Sequence, residues 1–225
     1  MKKIADIIAK YQEEVKIIEN SNEKEEQKIS KNIQLTKECL HQLRLQIRNE
    51  NFKDKEEEIN FFKHQKPLVY GNLKFFVATL TYLSEKPSGC LKEQKEFLSE
   101  LIKKMEAKKK RNLEFYKYYQ HKENCFDDKY FMRGNNQLEL FSKTMHLDSD
   151  PEFSTSHDFK AAEVIAYEQI ATYYGDALQQ LKQKSGELTV REVKPKILMG
   201  LLWRGTKTDL VELIYALIAA GAIVN

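Results

Sequence analysis

Ser154-Thr-Ser-His157-Asp158 places hydroxyl, imidazole and carboxylate groups within five residues, the group types that a nucleophilic serine needs for acyl transfer. Triad members are brought together by a fold rather than by adjacency, so the simpler expectation is that Ser156 caps a helix beginning near Asp158. Asp127-Asp128 could supply paired carboxylates for acid–base work, although neighbouring carboxylates in a polar stretch are ordinarily solvated. The histidines (His41, His64, His121, His146, His157) and cysteines (Cys39, Cys90, Cys125) are widely spaced. Their nearest ligand-like spacings, Cys39 with His41 and His121 with Cys125, offer two donors each, short of a closed tetrahedral zinc site. No glycine-rich phosphate loop of either the dinucleotide or the P-loop type occurs. The chain is therefore expected to be no enzyme and to hold no metal or cofactor.

Charge is the stronger signal. From Lys103 to Lys122 eight basic residues face only Glu106 and Glu114, a local balance of +6 in a chain whose net charge is +3. Lys103, Lys104, Lys108, Lys109, Lys110 and Arg111 form the dense part, with Phe115, Tyr116, Tyr118 and Tyr119 directly behind as stacking groups or as core. A second basic stretch, Lys182 to Lys207, sets seven cations against Glu187 and Glu192. Within it Arg191, Lys194, Lys196, Arg204, Thr206 and Lys207 surround the start of a capped helix, where cations and free N–H groups can hold phosphates. By pattern alone, DNA contact and a solvated surface both remain open.

The elements that would position these residues are mainly helical. Apolar residues make 41% of the 225 residues and charged ones 32%, with eight glycines and four prolines, a balance unlike disorder, collagen or a β-sandwich. Apolar positions recur with helical period at Ile4, Ile8, Tyr11, Val15 and Ile18, and again at Ile29, Ile33, Thr36, Leu40, Leu43 and Ile47, predicting a hairpin over residues 1–51. Further helices are expected over about 56–85, as Glu56–Lys63 and as Leu68–Glu85 bounded by Pro67 and Pro87, and over 91–121, then a structured loop over 122–156 with a short strand at Tyr130–Met132 or Leu138–Phe141. A helix over 158–184 closes a helical domain spanning 1–186. Residues 187–225 form a second unit, with Trp203 and Tyr215 expected in its core. The start of the chain lacks the uninterrupted apolar run of a secretory signal, and the run from Leu213 to Val224 is too short to cross a bilayer. With an odd number of cysteines, a reducing cytoplasm is the expected setting.

Trp203-Arg-Gly-Thr-Lys-Thr-Asp-Leu-Val-Glu-Leu-Ile-Tyr-Ala-Leu217, followed by Gly221-Ala-Ile-Val-Asn225, resembles the RteC family of Bacteroides conjugative transposons. Four upstream blocks resemble the same family in the same order. They are Glu58-Ile-Asn-Phe-Phe-Lys63 with Lys66-Pro67, Asn112-Leu-Glu-Phe-Tyr-Lys-Tyr-Tyr119, Asp128-Lys-Tyr-Phe-Met-Arg-Gly134 and Phe153-Ser-Thr-Ser-His-Asp158. The resemblance implies a cytoplasmic activator of excision genes that binds double-stranded DNA upstream of them. It implies a helical N-terminal domain and a winged-helix-like C-terminal domain, which reads as truncated because the family pattern continues past Asn225. A homodimer would prefer an inverted repeat. The competing expectation is a non-DNA helical protein–protein interaction module, whose helices at Ile4–Ile18 and Ile29–Ile47 hold a protein partner.

Overall fold

The computed structural model describes residues 2–49, 51–134 and 150–185. The chain divides into two compact units, Met1–Glu187 and Leu188–Asn225. The described residues all belong to the first, so the winged-helix-like form, the truncation and the core positions of Trp203 and Tyr215 lie outside them.

Helices α1 (Lys2–Glu19) and α2 (Glu25–Asn49) form the hairpin. Ile4, Ile8, Tyr11 and Val15 are buried on α1, as are Ile29, Cys39, Leu43 and Ile47 on α2, because residues three, four and seven apart share one helical face. The break between them is held by its own polar groups. The Ser21 hydroxyl donates to the Ile18 carbonyl (2.8 Å) and the Lys28 ammonium to the Glu19 carbonyl (2.8 Å), satisfying acceptors that the end of α1 leaves open.

Asp54 caps α3 (Lys55–Asn60) by accepting from the Glu57 N–H (2.8 Å), and Glu57 returns the favour to the Lys53 N–H (2.7 Å). The helical run then passes through a π-turn, Phe61–Gln65, straight into α4 (Lys66–Glu85). Pro67 therefore stands inside the run rather than at a boundary. It cannot donate to the Lys63 carbonyl, and the Tyr119 hydroxyl does so instead (2.8 Å).

Helix α5 (Leu91–Arg111) and α6 (Leu113–Gln120) occupy the span where one long helix was expected. They part at Asn112 (φ −121°, ψ 26°), a residue type whose amide competes with helical hydrogen bonding. Beyond the break Phe115, Tyr116 and Tyr118 turn into the core. A single turn, α7 (Asp127–Tyr130), follows, and α8 (Asp158–Lys184) closes the unit. No strand forms among the described residues. At Tyr130–Met132, where one was expected, the Tyr130 carbonyl accepts from the His157 N–H (3.2 Å) without a ladder, and Phe131 is buried in the core. Leu138–Phe141 lies outside the described residues.

Helix α4 packs against both α2 and α8. Its approach to α8 is close because α8 offers Ala161, Ala162 and Ala166, while Gly71 on α4 has no side chain at all. A Cβ there would lie 3.0 Å from the Ile165 side chain and 3.1 Å from the Ala162 carbonyl oxygen. One file of hydrogen bonds crosses four helices. Gln169 donates to Asn72 (2.8 Å), Asn72 to the Tyr11 hydroxyl (3.1 Å) and Tyr11 to Thr36 (3.1 Å), whose own proton goes to the Asn32 carbonyl (2.5 Å). Such a file can form in only one relative register of the helices, which is how buried polar contacts confer specificity. A second apolar cluster, centred on Tyr82, Leu98, Tyr174 and Leu181, fixes α5 to α4 and α8.

Candidate functional site: a buried lysine node and an exposed basic ridge

Two buried lysines lie three residues apart on the helical run that contains the π-turn. Phe61 and Phe62 are completely buried beside them, and Lys63 and Lys66 are only 4% and 8% exposed. An unpaired ammonium in that setting would be prohibitively costly. The three protons of Lys63 meet the Glu123 carbonyl oxygen (2.7 Å) and both carboxylate oxygens of Asp127 (2.7 and 2.9 Å). Asp127 in turn accepts from the Tyr118 hydroxyl. Lys66 donates to the Phe153 carbonyl and the Asp158 carboxylate, and its ammonium lies 4.5 Å from the centre of the Phe153 ring.

A third pair completes the node. Glu58 accepts from the Arg133 side chain (2.8 Å) and backbone N–H (3.0 Å), while the guanidinium stacks 4.9 Å from the Phe52 ring centre. Each pair joins the helical run at 58–66 to a segment with little regular structure, residues 122–134 or 150–158. With its three protons engaged, Lys63 offers no free amine for chemistry; the node holds two loops in place. Sequence reasoning did not single out either lysine. The available signal was a pair of cations embedded among Phe61, Phe62, Pro67 and Val69 on a helix that is apolar nearly all round.

The serine, histidine and carboxylate of the 154–158 block do not assemble into a triad. Ser156 Oγ lies 2.9 Å from His157 Nδ1, but Asp158 is turned to Lys66, and the other imidazole nitrogen faces the Lys160 ammonium (3.3 Å). Burial, with Lys160 adding to it, pushes the His157 imidazole down to about 3, and its ring stacks 3.9 Å from that of Tyr130. Ser156 is not the cap of α8 either. His157 occupies the cap position with no side-chain cap bond, because the Ser156 hydroxyl is directed at the Lys129 (3.1 Å) and Tyr130 (3.3 Å) carbonyls.

Cys39 is buried while His41 is exposed, and burial pushes the Cys39 thiol up to about 12, the nearby Glu14 and Glu38 reinforcing it. No group of three potential metal ligands occurs among the described residues. Nor is any described helix long and apolar enough to cross a membrane. An open cleft of about 700 Å³ lies beside the π-turn, lined by His64, Tyr119, Lys122 and Glu168. The Tyr119 hydroxyl is already committed to the Lys63 carbonyl, and Glu168 accepts from Gln120 (2.9 Å).

The basic residues divide by position. Arg191, Lys194, Lys196, Arg204, Thr206 and Lys207 lie outside the described residues. Lys103, Lys104, Lys108, Lys109, Lys110 and Arg111 occupy the C-terminal turns of α5. Among them Lys108 pairs with Glu163 (2.7 Å) and Lys109 lies over the Tyr167 ring (4.5 Å), whereas Lys103, Lys104, Lys110 and Arg111 are exposed. The aromatic residues behind them are not stacking platforms. Phe115, Tyr116 and Tyr118 are buried, and Tyr119 is partly so.

A family model described as RteC protein matches residues 60–225. The chain belongs to the RteC family. No curated protein and no solved structure matches it. In this RteC member the family-like blocks around residues 58–67, 112–119, 128–134 and 153–158, far apart in sequence, meet at the lysine node. Membership suggests a part in regulating the excision of conjugative transposons.

Proposed function

We propose that this RteC family member is a DNA-binding transcriptional regulator that activates excision genes of a conjugative transposon. The observation that carries the reading is the family match, which extends through the whole of Leu188–Asn225 as well as most of the helical unit. In this reading the C-terminal unit is winged-helix-like and makes the main DNA contacts. Arg191, Lys194, Lys196, Arg204, Thr206 and Lys207 are its contact residues, grouped around the helix cap in a stretch with a local balance of +5. The helical unit is a scaffold without catalytic activity. The protein acts in the cytoplasm as a homodimer on an inverted repeat whose half-sites lie about one helical turn, or a multiple of it, apart.

The alternative, a module that captures a protein partner through its first two helices, needs apolar faces that here are already buried against one another and against α4. The two readings separate in a titration against the duplex upstream of the element's excision genes. Phosphate contacts make the logarithm of affinity fall steeply and linearly with the logarithm of salt concentration. Neutralising Arg191, Lys194, Lys196 and Lys207 one at a time should weaken binding and reduce that slope by about one each. Unchanged affinity and slope in all four variants would remove the C-terminal surface from the reading.

A further inference from the structure

The C-terminal turns of α5 present a predominantly cationic face, six cations against one carboxylate between Lys103 and Arg111. Lys103 and Lys110 are seven residues apart, as are Lys104 and Arg111, so they form two adjacent rows, each about 10.5 Å long on a helix rising 1.5 Å per residue. All four residues are exposed, and none forms an ion pair among the described residues. The carboxylate within the cluster, Glu106, is engaged by the Tyr167 hydroxyl, and Glu163 is occupied by Lys108 and Lys74. Exposed carboxylates remain at Glu100, Glu106 and Glu114, but between Lys103 and Arg111 six cations stand against Glu106 alone.

We propose that Lys103, Lys104, Lys110 and Arg111 form a second contact surface for duplex DNA, one that holds the phosphate backbone without reading sequence. The proposal rests on the DNA-binding reading above and locates a contact in the helical unit. Two physical features select a duplex as the occupant. A rigid helix holds four like charges within about two turns, and duplex DNA, with one negative charge per roughly 1.7 Å of axis, is a partner dense enough to neutralise them together. A helix that binds a membrane surface needs large apolar side chains alongside its cations. Here the large apolar residues of α5, including Leu98, Leu101, Ile102 and Met105, pack into the cluster around Tyr82 and Tyr174, and Ala107 lies between the cationic rows.

The test uses the full chain and a variant carrying Lys103→Gln, Lys104→Gln, Lys110→Gln and Arg111→Gln, since glutamine removes the charge while preserving helix propensity. A parallel variant neutralises Arg191, Lys194, Lys196 and Lys207. Each is titrated by fluorescence anisotropy with a labelled duplex of arbitrary sequence between about 0.05 and 0.2 M salt, and by co-sedimentation with vesicles of phosphatidylglycerol and phosphatidylcholine. The α5 variant is expected to unfold at the same temperature as the parent and to bind the duplex roughly tenfold or more weakly. Its salt slope should be smaller by about 3 to 4, or about 0.9 for each lost contact. Unchanged duplex affinity and slope in the α5 variant overturns the proposal, and a loss confined to the C-terminal variant would leave the main reading standing. Loss in the α5 variant alone would sustain the proposal and remove the C-terminal surface from the main reading. Loss of vesicle binding with duplex binding intact overturns it in favour of a lipid surface.

Discussion

Replacing Asp127 by alanine strands Lys63. Of the three oxygens that now meet its ammonium, only the Glu123 carbonyl would remain, at 2.7 Å, while the side chain is 6% exposed and water has little access to it. Breaking a buried pair from one side costs about 3 to 5 kcal/mol, because the surviving charge stays buried without its partner. For a unit of this size each kcal/mol shifts the midpoint by about 2 to 4 °C, so thermal unfolding followed by far-UV circular dichroism should fall by roughly 6 to 20 °C. Lys63→Met should cost less. The carboxylate it leaves is 15% exposed and keeps the Tyr118 hydroxyl as a donor. Removing both charges in Lys63→Met with Asp127→Leu should recover part of the loss, since an apolar pair of similar volume needs no desolvation. A midpoint for Asp127→Ala within about 2 °C of the parent would refute the claim that the node carries the 122–134 segment.

Tyr119→Phe leaves the Lys63 carbonyl without the donor that Pro67 cannot supply, and should cost about 1 to 3 kcal/mol in urea unfolding. Adding Pro67→Ala should offset some of that cost by restoring an N–H, and strict additivity of the two would contradict the account. Gly71→Ala forces a Cβ to within 3.0 Å of Ile165 and 3.1 Å of the Ala162 carbonyl, so overpacking should destabilise by about 1 to 3 kcal/mol; a stabilised variant would show that α4 and α8 can move apart freely. His157 has its pKa lowered to about 3 by burial, from an ordinary 6.5, so the unfolded chain takes up a proton at a pH where the folded chain does not. Its contribution to stability is therefore complete above about pH 6.5 and is lost as pH falls from there toward 3, with a slope of up to about 1.4 kcal/mol per pH unit. Comparing parent and His157→Gln midpoints across that window checks this, and parallel curves would rule it out.

The hairpin and α8 were legible because their apolar residues keep helical period over four or more turns, as in Ile4, Ile8, Tyr11 and Val15. The division of the 91–121 helix was not. Met105, Asn112, Tyr116 and Tyr119 keep an approximate helical spacing through the break, so periodicity alone runs past Asn112. Pro67 misled in the opposite direction. A proline inside a helix normally ends it, but here the tertiary donor Tyr119 removes much of the penalty. Burial of Lys63 and Lys66 was hidden for a different reason: sequence patterning assigns lysine to solvent, and the carboxylates that reverse the assignment are 64 and 92 residues away. The same long-range pull explains Ser156, whose hydroxyl serves carbonyls of residues 129 and 130 rather than the helix it precedes.

The family match begins at residue 60, inside a continuous helical run rather than at a structural boundary. The π-turn starts one residue later, and from there the chain supplies Lys63, Lys66, Asp127 and Asp158, the two ion pairs that fasten its irregular segments. Helices α1 and α2 precede the match, yet they are not an appendage. Their apolar faces join Phe61, Phe62, Val69 and Phe76 in one core, and Tyr11 and Thr36 stand in the middle of the hydrogen-bond file that ends at Gln169 on α8. A fold that began at residue 60 would leave that core open on the α2 side of α4. The hairpin therefore covers one flank of α4 while α8 covers another, and the burial this gives Phe61, Phe62 and Val69 is what makes two internal lysines, with their aspartates, an effective means of fixing the loops they hold.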